Sequence, residues 1–161
     1  MRLAPLSLLP KSVLGIAKEF ARHLLKRPVC GLAVVGTATD GTIALIRRGD
    51  TGTWALPGGT VEWGETLRRT LLREMAEEAG IDEVTFERVV GVYGDPDRDP
   101  RFHAVTVVVA AKVGEIVRPP MNPLEIREAR FFVPTSLPKD MAMGMADYVE
   151  AAQRGGPAEL E

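Results

Sequence analysis

The chain has 161 residues, 45% of them hydrophobic and 26% charged, with a net charge of −2. That length and apolar content suit one globular domain and exclude wholesale disorder, while the charge balance excludes a chain that coats nucleic acid, so no DNA partner is expected. The single cysteine, Cys30, excludes an intrachain disulfide and leaves a reduced cytoplasm as the expected compartment.

Charge is spread unevenly. Residues 1–27 carry a net +5, which leaves −7 for the remainder. Residues 11–27 read as an amphipathic helix, with Val13, Ile16, Ala17, Phe20 and Leu24 at helical spacing and Lys11, Lys18, Arg22 and Lys26 on much of the opposite side. Residues 1–28 are therefore expected to form a basic leader. Its apolar face could pack on the chain's own sheet or on a partner subunit. Contact with an anionic membrane is compatible but less favoured, because Phe20 is the only large anchor. No apolar run reaches the ~18 residues that span a bilayer, and no secretory signal is legible.

Gly31–Ala38 follows as an apolar strand, with Cys30 expected to be a small buried hydrophobe at its start. Asp40-Gly41 signals a hairpin turn, and Thr42–Arg47 reads as the returning strand. A glycine-rich stretch over 49–64 breaks regular structure before a helix over Thr66–Ala79, which Gly80 ends. Val84–Tyr93 and Phe102–Val113 read as strands around the charged loop Gly94–Arg101, and Ala129–Val133 as a shorter strand. A helix is expected over Asp140–Gln153, with a loose tail over 155–161. The order is mixed α and β, with one main domain over 29–154.

The chemistry concentrates in 59–81, GTVEWGETLRRTLLREMAEEAGI. On a helix, Glu74, Glu77 and Glu78 are spaced i, i+3, i+4 and share one face. Leu67, Leu71, Leu72, Met75, Ala76 and Ala79 form the apolar side, which can bury against a sheet. Each like-charge pair costs roughly 0.2–0.5 kcal/mol on an exposed helix, so the cluster makes sense if divalent cations neutralise it. Oxygen ligands without His or Cys favour Mg²⁺ or Mn²⁺. Gly58 and Gly59 allow close backbone approach, and a carbonyl there could complete a metal shell. Glu65 sits at the helix start, where Arg73 could reach it if the loop folds back.

This segment resembles the Nudix box. Gly59, Glu65, Arg73, Glu74, Met75, Glu77, Glu78, Gly80 and Ile81 fill its fixed positions, and Trp54–Gly58 is similar to its usual approach. The resemblance implies an α/β/α sandwich with a mixed central sheet, to which this chain adds an N-terminal helix. It implies a pyrophosphohydrolase in which Glu74, Glu77, Glu78 and the Gly58 carbonyl bind Mg²⁺, with Glu65 and Arg73 orienting the acids. The general base varies among such proteins; a box glutamate, Glu115, Glu125 and Glu128 are the candidates here. Many relatives are dimers, so a homodimer is compatible.

Substrate choice lies outside the box. Pro96, 15 residues beyond Ile81, and the segment from Asp97 to His103 resemble the ADP-ribose pyrophosphatase subgroup. The implied reaction is ADP-ribose plus water giving AMP and ribose 5-phosphate, with other nucleoside diphosphate sugars as variants. Arg98, Arg101 and His103, on a loop stiffened by Pro96, could contact phosphate or ribose. Trp54, Trp63, Tyr93 and Phe102 could stack on an adenine, although core packing explains any of them as well. Two alternatives stand beside this: a nucleoside triphosphate pyrophosphatase acting on oxidised nucleotides, and a nucleotide sensor without turnover.

Overall fold

The computed structural model describes residues 27–161. The helix expected over 11–27 lies, but for Arg27, outside the described residues. Eight strands and two helices follow in the order β1 (Val29–Thr37), β2 (Ile43–Arg48), β3 (Trp54–Ala55), β4 (Gly58–Thr60), α1 (Leu67–Glu78), β5 (Val84–Tyr93), β6 (Ala104–Val113), β7 (Ile126–Phe132), α2 (Met145–Arg154) and β8 (Glu159–Leu160). The sheet runs β3-β2-β1-β6-β5-β8, with β4 added to β1 and β7 to β2. It is mixed: β1 and β6 are parallel over nine pairs, from Val29↔Ala104 to Thr37↔Lys112, while β5 and β6 are antiparallel.

β1 is apolar at successive positions because both of its faces are covered. Leu32 and Val34 point to the layer closed by Leu71 and Met75 of α1 and by Ala79 at its end. Ala33 and Val35 point to the other layer, closed by Tyr148, Val149 and Ala151 of α2. The fold is the expected α/β/α sandwich. Among the described residues no helix is long and apolar enough to cross a membrane.

The sheet forks beside β1. The turn at Asp40-Gly41 forms, with Gly41 at φ +84° and the Asp40 carboxylate accepting from Thr42. Only Thr37↔Ile43 pairs across it before β2 departs to join β7. The edge of β1 so vacated is taken by β4 over Gly31↔Thr60 to Ala33↔Gly58. The glycine-rich stretch therefore contains two short strands, and it enters the centre of the sheet at the fork.

Four expectations are corrected. Cys30 is exposed, because it sits at the leading end of β1 ahead of the helix-covered stretch. Leu67 and Leu72 of α1 are 40% and 46% exposed, since the buried stripe runs only through Leu71, Met75 and Ala79. The last helix starts at Met145, because Met143 and Gly144 adopt left-handed φ of 53° and 65° and leave only a 3₁₀ turn over Ala142–Gly144. Residues 159–160, expected to be loose, form β8, parallel to β5 at Gly91↔Glu159 and Val92↔Leu160.

Candidate active site

Helix α1 is held at both ends by local chemistry. Thr66 caps its start, its side chain accepting from the Arg69 N–H at 3.3 Å. Gly80 follows its end at φ +67°, and a Cβ there would run into the Arg118 carbonyl. With Leu71 and Met75 in the core, the acidic face turns towards the fork.

The loop before α1 does fold back. Arg73 donates to both Glu65 carboxylate oxygens at 3.0 Å, to Glu74 at 2.8 Å, to Glu77 at 3.4 Å and to the Thr60 carbonyl at 3.2 Å. One guanidinium thus gathers three carboxylates, so part of the neutralisation expected from cations comes from within the chain. The Arg73 fork holds the Glu65 carboxyl down at about 2 despite some desolvation, with a further bond from Thr70.

Glu74 is 6% exposed and packs on β4: a Cβ on Gly59 would collide with its carboxylate. The glycine thus makes room for a glutamate. Burial raises the Glu74 carboxyl above its ordinary value, and Arg73 offsets part of that. Among the described residues, Glu78 has no such cation in contact. Its carboxylate accepts the Gly58 N–H at 2.8 Å. Burial pushes it up to about 8, with Glu74 and Glu125 adding repulsion and the Gly58 bond opposing. Glu77 is the outermost of the three, 46% exposed.

The ladder also places the Gly58 carbonyl. Val34 N–H bonds Pro57 and Val61 N–H bonds Cys30, so the hydrogen-bonded pairs alternate with Ala33↔Gly58. The Gly58 peptide groups therefore point away from β1, on the side where its N–H meets Glu78.

A cleft of about 400 Å³ opens at the fork. Gly58, Arg73, Glu74 and Glu78 line one side, and Glu125 lies at its rim ahead of β7. Asp99, Arg101 and Phe102 line the side opposite, with Met143 beside them. Arg101 is held by Asp99 through Nε at 2.9 Å and Nη2 at 2.7 Å. The donors are hard oxygens, and among the described residues no His or Cys lines the cleft, which fits Mg²⁺ or Mn²⁺. Among the described residues no three His, Cys, Asp or Glu side chains are grouped so as to enclose an ion, so the shell is partial.

Other expected residues lie elsewhere. Arg98 is bound to Glu161 at 2.9 Å and 2.6 Å and lies 5.3 Å and 5.2 Å from the Tyr93 and Tyr148 ring centres. Its guanidinium is thus engaged by the segment expected to be loose. His103 is exposed, its Nε2 2.9 Å from the Gly94 carbonyl oxygen. Pro96 is exposed at the loop tip. Of the candidate bases, Glu128 pairs with Arg47 and Arg130, and Glu115 is exposed away from the cleft. Trp54 and Tyr93 are core, and Trp63 is fully exposed. Sequence reasoning missed Arg48, Asp99 and Met143, all of which line the cleft. Asp99 had a local signal, an acid two residues before Arg101; the others are joined to the site only by the fold.

Residues 27–152 match the family model described as the NUDIX domain. An ADP-ribose pyrophosphatase of Methanocaldococcus jannaschii is 40% identical over 105 residues, an alignment that spans 62% of this chain and 59% of that protein. The crystal structure of a NUDIX hydrolase from Nitrosomonas europaea superposes with a TM-score of 0.68 at 26% identity, covering 84% of this chain and 78% of that one. The NUDIX domain of Shewanella oneidensis NrtR, solved with ADP ribose, shares the fold at a TM-score of 0.69 and 21% identity, over 86% and 96% of the two chains.

Proposed function

The chain belongs to the NUDIX family, and we propose that it hydrolyses a nucleoside diphosphate linked to another moiety, ADP-ribose foremost, giving AMP and ribose 5-phosphate. The observation that carries this reading is the single cleft at the fork. There the buried Glu74 and the half-buried Glu78 share with Arg101 a space that a phosphate chain can enter. The 40% identical relative named for ADP-ribose supports the choice of substrate.

Glu74, Glu77, Glu78 and the Gly58 carbonyl would hold a divalent cation, Mg²⁺ or Mn²⁺. When bound, the cation supplies Lewis-acid polarisation of the diphosphate and charge neutralisation. The rest is done by the chain. Arg73 and Glu65 fix Glu74 in place. Arg101, rigid in its clamp with Asp99, offers positive charge to the substrate's phosphates. Glu125, the one later-loop candidate at the cleft, takes the proton from the attacking water.

The test is a coupled phosphate-release assay on ADP-ribose, other nucleotide sugars, dinucleoside polyphosphates and 8-oxo-dGTP, each with Mg²⁺ and with EDTA. A Mg²⁺-dependent preference for ADP-ribose is expected. A preference for triphosphates would keep the metal site and discard the substrate. Silence across the panel would favour a nucleotide sensor.

A further inference from the structure

The cleft's second wall has a feature that the hydrolytic chemistry does not use. Among the described residues, Met143 is the only non-glycine with positive φ, at 53°. A long side chain in that conformation is strained, whereas glycine, as at neighbouring Gly144, would adopt it freely. The Met143 side chain nevertheless goes to the cleft. There its Sδ lies 3.8 Å from Nη2 of Arg101. The same guanidinium lies 5.1 Å from the centre of the Phe102 ring, and Phe102 stays 41% exposed although it is large and apolar. Exposed apolar residues are ordinary when scattered. Here a phenyl ring and a thioether line one cleft, joined through an arginine that Asp99 immobilises.

Beyond Arg101, the surface of ring and thioether does little for a phosphate chain or a ribose, which want donors and cations. It suits a flat, polarisable, uncharged group, for which aromatic stacking and sulfur contact are the natural attractions. We infer that Phe102 and Met143 wall a nucleobase subsite, which fixes the nucleoside end of the substrate while the diphosphate lies towards Glu74 and Glu78. Trp54, Tyr93 and Trp63 do not compete for this role, since the first two are core and the third is outside the cleft. The inference rests on the reading of the cleft as a nucleoside diphosphate site.

The test uses the full chain with Met143→Gly, Phe102→Ala and Phe102→Trp. Met143→Gly relieves the strain, so Tm should hold or rise while KM for ADP-ribose rises on the order of tenfold, as loss of one stacking-type contact implies. Phe102→Ala should raise KM similarly and Phe102→Trp should restore it, with the effect on KM rather than kcat. Binding of AMP and of ribose 5-phosphate, measured by calorimetry, separates this from the hydrolytic reading. Both single losses should weaken AMP and leave the base-free ribose 5-phosphate unchanged, whether or not the wild type turns over ADP-ribose. Unchanged KM together with unchanged AMP affinity in Met143→Gly and Phe102→Ala would overturn the subsite. Equal weakening of AMP and ribose 5-phosphate would also overturn it, by showing a general loss of the cleft.

Discussion

The two walls of the cleft are made by different physics. The acidic wall is local: Glu65, Arg73, Glu74, Glu77 and Glu78 fall within 14 residues of chain, on one capped helix and the loop that enters it. The facing wall is assembled from afar. The 94–101 loop is gripped by Glu161, whose carboxylate accepts the Gly94 and Asp95 N–H groups at 3.1 Å and 2.9 Å and binds Arg98. Its other end carries Asp99 and Arg101 to the cleft, where Met143 meets them. A helix face can be read from spacing; a wall whose parts lie up to 67 residues apart cannot.

The largest expected effect breaks the local wall. Glu78→Gln should lower kcat/KM for ADP-ribose by roughly 10³-fold, the several kcal/mol that metal-borne charge stabilisation contributes, with the fold intact by circular dichroism. Arg73→Ala comes next. It leaves Glu65 and Glu74 without their guanidinium, and should lower activity roughly 10- to 100-fold, as loss of a group orienting metal ligands does. Arg73→Lys should not restore it, because an ammonium cannot reproduce the forked contact with Glu65.

Glu65 makes the comparison sharper through pH. Its carboxyl is held down at about 2, below the 4.5 it has when unpaired. The native state therefore binds fewer protons than the unfolded state in that window. The stability it contributes is present above about pH 4.5 and is lost as pH falls through about 2. Melting temperatures between pH 5 and pH 2 should fall less steeply in Glu65→Gln than in the wild type; parallel curves would refute the pairing.

The smallest effect belongs to the assembled wall. Glu161→Ala loosens the loop from its far side without touching an acid of α1. KM for ADP-ribose should rise roughly threefold to fivefold, in keeping with about 1 kcal/mol for a part-exposed ion pair with added N–H bonds. Metal affinity should not change. A change in metal affinity of the same size would show that the two walls are one cooperative unit.

Much of the fold was legible because its signals are local. Thr66 and Gly80 mark the ends of α1, the apolar run of β1 marks a strand covered on both faces, and Asp40-Gly41 marks a turn. The fork was not legible, since β2 leaving β1 after one pair depends on β4 and β7 competing for the edges. Nor was the fate of the 155–161 segment, whose composition reads as a frayed end until β5 supplies a partner. Arg98 shows the same limit. Its place in an Asp, Pro and Arg loop suggested a phosphate contact, but the nearest carboxylate, Glu161, lies 63 residues on.

Whether the acidic wall holds a divalent cation is decided by Mn²⁺ binding, followed by electron paramagnetic resonance in the wild type and in Glu78→Gln. Saturable binding by the wild type, displaced by Mg²⁺, is expected, with a large loss in Glu78→Gln while the folded state persists. Equal binding by the two proteins, or none by the wild type, would contradict a cation site at that wall.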